Sequence, residues 1–138
     1  MNQLFEDISF VENPQYECII EDVLKQQYSI VEDFFTDDEV ALLRQSLIEK
    51  HDEDAFKKAA IGNRVNEIIV KSIRGDVILW IDELKANEAE MLFFNKINSL
   101  VNYLNKTCFL GILQKEFHYA IYPEGTFYKR HIDTFQND

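Results

Sequence analysis

Glycine and proline are scarce: four and two in 138 residues. Flexible linkers and low-complexity tracts draw heavily on these residue types, so the chain has no internal boundary and reads as a single domain over 1–138, or as part of one. Cysteine is equally sparse. Cys18 and Cys108 stand ninety positions apart with no CxxC spacing, which excludes a disulfide framework or a thiolate zinc site and leaves two ordinary reduced thiols. No stretch approaches the roughly 20 apolar residues that a membrane-spanning helix needs, and the first ten residues, MNQLFEDISF, lack the basic start and apolar core of a secretory signal. The sequence therefore predicts a cytoplasmic protein with no membrane partner. Positive charge is also short, with 14 Lys and Arg against 25 Asp and Glu and a net charge of -11. Such a chain repels phosphate backbones, which excludes nucleic acid as a partner. What is present is apolar and aromatic material, 46% and 13% of the residues, enough for a buried core.

The local signals alternate between helix and strand periods. Asn13-Pro14 is a cap followed by proline at the first helical position, with Ile19, Ile20, Val23 and Leu24 on one apolar face. A short strand is expected over Tyr28 to Val31. Thr36-Asp-Asp-Glu39 fits a capping box, after which Val40, Leu43 and Leu47 recur at helical spacing until the charged run His51-Asp-Glu-Asp54. Asn87-Glu-Ala-Glu90 is a second box, leading into a long helix with Phe94, Ile97, Val101 and Leu104 on its core stripe and an end near Thr107. Val77-Ile-Leu-Trp-Ile81 reads as a strand, with Trp80 as a core anchor. Phe117 to Tyr122 and Phe127 to Ile132 read as two further strands around Pro-Glu-Gly-Thr, with His118 a structural histidine and Gly125 supplying a positive-φ turn. Helices dominate the first part and strands the last, an order that favours an α+β fold.

One pair of residues points to chemistry. Residues i and i+2 of a strand share a face, so His131 and Asp133 would aim an imidazole and a carboxylate at one point. That is two-thirds of a 2-His-1-carboxylate triad, which leaves positions open on ferrous iron. Tyr122, Tyr128, Lys129 and Arg130 add phenols and cations nearby. A hairpin with an amphipathic aromatic face and no metal fits the same spacing.

The segment FHYAIYPEGTFYKRHID, from Phe117 to Asp133, resembles the strand-turn-strand segment of the prolyl 4-hydroxylase-type Fe(II)/2-oxoglutarate-dependent dioxygenases, especially their soluble branch with its bacterial relatives. Upstream, IRGDVILWI, from Ile73 to Ile81, is similar to an arginine-glycine-aspartate strand of that branch, and a long helix separates the two segments as the resemblance requires. The resemblance implies N-terminal helices over about 13–107 packed on the first core strands, about 115–138, of a double-stranded β-helix, a cupin-like jelly roll. It implies His131 and Asp133 as iron ligands, Tyr122 as a hydrogen-bond donor to 2-oxoglutarate and Tyr128 as an aromatic beside iron and substrate. It also implies Arg74 and Asp76 as anchors of a lid at about 59–72, a stretch that fits a plain surface loop equally well. The implied cofactors are Fe(II), 2-oxoglutarate and dioxygen, with ascorbate as reductant. The implied reaction hydroxylates a residue, proline by analogy, of a protein or peptide substrate and converts 2-oxoglutarate to succinate.

The family's third iron ligand, a downstream histidine, and the Arg or Lys that follows it to bind the far carboxylate of 2-oxoglutarate have no expected counterpart here, because the sequence runs only to Asp138 and His51 and His118 both precede the motif. The expectation is thus a truncated or partial chain, inactive by itself and prone to self-association through exposed sheet edges. Two other readings compete. One is a non-catalytic, acidic protein-binding module derived from that fold. The other is a small metal-binding β protein that takes further ligands from another chain.

Overall fold

The computed structural model describes residues 11–53, 55, 56 and 75–133. In chain order these form α1 (Pro14–Gln26), α2 (Asp37–Asp52), β1 (Val77–Ile81), a 3-10 turn (Glu83–Lys85), α3 (Glu88–Cys108) and β2 (Phe117–Ile121). Helices and a small antiparallel sheet make a mixed α+β architecture. None of the helices among the described residues is long and apolar enough to cross a membrane.

Each helix begins where a side chain satisfies its free backbone donors. Asn13 Oδ1 accepts from Tyr16 N at 3.1 Å, with Pro14 in the first turn. Thr36 and Glu39 close a reciprocal box at 2.8 and 3.2 Å. Asn87 and Glu90 close another at 2.9 and 3.0 Å. The Thr36 backbone N–H, helped by the Lys96 ammonium 3.2 Å away, holds the Glu39 carboxyl below the usual carboxylate range. Phe109 ends α3 in the left-handed region, at φ 54°.

The helices pack around α3. Phe35 stacks on Phe93, and Phe93 and Phe94 meet Phe117 edge-on at 5.1 and 5.6 Å, joining the residue before the Thr36 cap of α2, the second turn of α3 and the start of β2. Edge-on aromatic pairs contribute about 1 kcal/mol each beyond their burial. Beside them lies a polar junction. Ser46 of α2 shares a 2.9 Å hydrogen bond with the Tyr119 hydroxyl and accepts one from Asn87 Nδ2 at 2.7 Å. Glu90, 1% exposed, meets Lys50 Nζ at 3.1 Å. Burial, opposed by Ser46 and reinforced by Glu90, pushes the Tyr119 phenol up to about 12. At its N-terminal end α1 docks through Tyr16, whose ring meets Tyr103 edge-on and whose hydroxyl donates to Ser99 Oγ at 3.1 Å.

β1 and β2 pair antiparallel, from Val77 opposite Ile121 to Ile81 opposite Phe117. Leu79 and Tyr119 form the inward pair, and the next pair along, Trp80 and His118, points outward with ring centroids 5.0 Å apart. Trp80 is thus 57% exposed and not a core anchor, because the register that buries Tyr119 turns its neighbours to solvent.

Three further expectations differ. Residues 28–31 form no strand: the sheet among the described residues has two strands, neither of them here, and Tyr28 and Ile30 face solvent. Strand-forming residues need a neighbouring ladder, and this segment has none. On α1 the apolar face does not reach Val23 and Leu24, both exposed, since the helix is held at its first turn. Val40 is likewise exposed, and the residue of α2 that is buried is Ser46.

Candidate metal centre

The path from β2 to His131 is set by one turn and one close approach. Pro123 to Thr126 form a turn in which Pro123 O accepts from Thr126 N at 3.0 Å, and Gly125 has φ 79°, a conformation that side chains with a Cβ resist. The chain does not fold back on β2 as a hairpin. It loops out and resumes its course beside the approach to β1, where Gly75 N donates to Phe127 O at 2.8 Å. A Cβ on Gly75 would stand 2.5 Å from Thr126 Cβ, so glycine is what lets the two backbones meet. The second strand expected over 127–132 reduces to a single bridge residue, Tyr128. Residues that have left the ladder no longer alternate.

Beyond this point the geometry is local. The Tyr128 ring stacks on the His131 ring with centroids 3.6 Å apart and planes at 25°. His131 Nδ1 lies 2.9 Å from Lys129 O. A carbonyl only accepts, so Nδ1 carries the proton and donates. The other ring nitrogen, Nε2, lies 3.2 Å from Asp133 Oδ1. The imidazole is 38% exposed and the carboxylate 98% exposed. His131 and Asp133 therefore converge as the i, i+2 spacing predicts, although residues 131–133 are not in a strand.

This arrangement suits a cation. With Nδ1 protonated, a neutral His131 turns the Nε2 lone pair towards a carboxylate oxygen, and the two repel unless a proton or a metal ion lies between them. Two ligands at about 2.1 Å from one ion and at right angles are about 3.0 Å apart, close to the separation found here. A backbone carbonyl accepting from the second ring nitrogen is a common support for a histidine ligand. The donor set, one imidazole and one carboxylate, fits Fe(II) and other divalent ions of the first transition row. Among the described residues no group of three or more His, Cys, Asp and Glu could hold a metal. His51 lies against Phe56 and Asp52, and His118 against Trp80.

The remaining candidates lie nearby in the fold. Asp76 precedes β1 and Tyr122 follows β2, so both leave the ladder at the end where Val77 pairs with Ile121. That end also receives Phe127 through Gly75. Arg74 and the lid expected at 59–72 lie outside the described residues. Sequence reasoning missed two contributors. The Lys129 carbonyl is a backbone atom with no signature of its own, and Gly75 was legible only as part of a motif, not as the contact between two motifs.

No protein-family profile matches the chain, and no curated protein matches it. A solved structure does: the crystal structure of a Pseudomonas putida prolyl-4-hydroxylase is similar over 89% of this chain, with a TM-score of 0.71 and 28% sequence identity. The match covers 60% of that protein, so the chain spans less than two-thirds of its length. The likeness supports a prolyl-4-hydroxylase-like fold.

Proposed function

We propose that the chain is the N-terminal part of an Fe(II)/2-oxoglutarate-dependent oxygenase of prolyl 4-hydroxylase type, acting on a residue, proline by analogy, of a protein or peptide substrate. The observation that carries this reading is the 3.2 Å approach of His131 Nε2 and Asp133 Oδ1, with Nδ1 engaged by Lys129 O, on a fold similar to a prolyl-4-hydroxylase. In this proposal residues 13–107 support the first strands of a jelly roll, and His131 and Asp133 are two of three iron ligands.

Bound there, Fe(II) would supply the chemistry that couples decarboxylation of 2-oxoglutarate by dioxygen to hydroxylation of a C–H bond, with ascorbate as reductant. The rest falls to the chain. His131 offers a neutral nitrogen because its proton is held on the far side of the ring. Asp133 contributes the negative charge that favours a divalent ion. Tyr122 orients 2-oxoglutarate by donating its phenolic proton to a carboxylate, and Arg74 and Asp76 anchor the segment that covers the substrate. In this proposal the histidines of the chain provide one ligand, His131, so turnover needs a further protein ligand beside His131 and Asp133 and a cationic anchor for the cosubstrate.

Anaerobic Fe(II) titration of the chain by calorimetry tests the reading. His131→Ala and Asp133→Ala should each weaken binding at least about tenfold, as loss of a ligand requires. Undiminished binding by both variants would sink the proposal and favour the acidic protein-binding module.

A further inference from the structure

Among the described residues three contacts bear on where the His131 ring points, and two of them, to Lys129 and Tyr128, do not involve Asp133. The Lys129 carbonyl fixes which edge of the ring faces inward, and the Tyr128 ring fixes its plane. Neither His131 nor its neighbours belong to a helix or strand, and the imidazole is more than a third exposed, so neither the ladder nor core packing restrains it. An exposed histidine with two free torsions samples several rotamers, and only some of them turn Nε2 towards Asp133. We infer that Tyr128 is a positioning residue, whose ring stacks on His131 and pre-sets Nε2 for metal binding. This rests on the reading of His131 and Asp133 as metal ligands.

The inference assigns the effect to the ring and not to the hydroxyl. The stack at 3.6 Å and 25° is made by the tyrosine ring, which phenylalanine retains. The turn that carries it is short: two residues, Lys129 and Arg130, separate Tyr128 from His131, and Lys129 supplies the carbonyl. Tyr128 thus acts before any metal arrives, by removing ring orientations that a metal would otherwise have to select against. Support of this kind around a metal ligand is typically worth 10- to 100-fold in affinity. A single exposed stack falls at the lower end, up to about tenfold.

The test uses the full chain with Co(II) as the probe and two readouts. In the metal-free protein, the carbon-bound ring protons of His131 should resonate upfield in the wild type and in Tyr128→Phe, because they lie over an aromatic face, and should return to unstructured positions in Tyr128→Ala. In a Co(II) titration followed by visible absorption, Tyr128→Ala should bind about five- to tenfold more weakly than the wild type. Tyr128→Phe should stay within about twofold. Both substitutions lie outside the core, and an unchanged helical circular dichroism spectrum checks that the variants are folded. Equal Co(II) affinity in wild type and Tyr128→Ala, with binding still lost in His131→Ala, would overturn the positioning role and leave the metal reading standing. Equal weakening by Ala and Phe would move the effect to the hydroxyl and overturn it too. Co(II) binding indifferent to His131→Ala would overturn the metal reading itself, and the positioning role with it.

Discussion

The junction of Ser46, Asn87, Glu90 and Tyr119 and the turn of Tyr128, His131 and Asp133 each bring polar side chains within hydrogen-bonding distance, by opposite means. At the junction the partners are far apart in sequence: Ser46 and Tyr119 are 73 positions apart, and three elements must already be packed for them to meet. At the turn every partner lies within five residues, and the groups face solvent. The first arrangement is enforced by burial, because an unpaired polar group there would cost about 1–3 kcal/mol. The second is enforced by local geometry alone. A chain can therefore lose the second and keep its fold, while loss of the first is a loss of the fold.

Phe94→Ala should show the largest effect. Phe94 is 3% exposed where α3 meets β2, and removing its ring should lower the unfolding free energy by about 3–5 kcal/mol in urea titrations. A loss below about 1 kcal/mol would mean that α3 and β2 do not share a core.

Tyr119→Phe probes the junction more gently, with a loss of about 1–2 kcal/mol at neutral pH as Ser46 gives up one partner. It also has a pH signature. The Tyr119 phenol is raised in the folded chain from its ordinary value of 10 to about 12, so an unfolded chain releases this proton first. Stability should then fall as pH rises between those two values. In Tyr119→Phe that fall should be shallower. What remains reflects Tyr103, whose phenol burial and the neighbouring Glu17 also push up. An unchanged alkaline profile would remove Tyr119 from the account.

His131→Ala should be the mildest, changing stability by no more than about 0.5 kcal/mol because the side chain is exposed and held only by its neighbours in sequence. A loss of several kcal/mol would erase the contrast between the two regions.

The same division decides what was legible in the sequence. Among the described residues, the helix starts at Asn13, Thr36 and Asn87 were readable because a cap and its receiving N–H lie three residues apart. The limits of β1 were readable from a β-branched run between turn signals. The approach of His131 to Asp133 was readable for the same reason of short range, although the expected means, strand alternation, was replaced by a stacked turn. What failed depended on partners distant in sequence. Tyr28 to Val31 had strand composition but no ladder to join, and the face on which Trp80 falls was set by its pairing with His118, 38 positions away. The hairpin expected after Gly125 failed because Gly75, fifty residues upstream, captures the returning chain.

That capture point has a consequence for how such a site changes over time. Gly75 and Phe127 fasten the turn to the scaffold at its root, and Tyr128, Lys129, His131 and Asp133 all lie past that fastening. On the proposed reading of His131 and Asp133 as metal ligands, substitutions from Tyr128 to Asp133 would retune the preference for one ion over another while the helices and their aromatic core carry the folding burden unaltered. The geometry of the turn and the stability of the fold are thus separately heritable, and the glycine that permits the two backbones to touch is the point on which their independence depends.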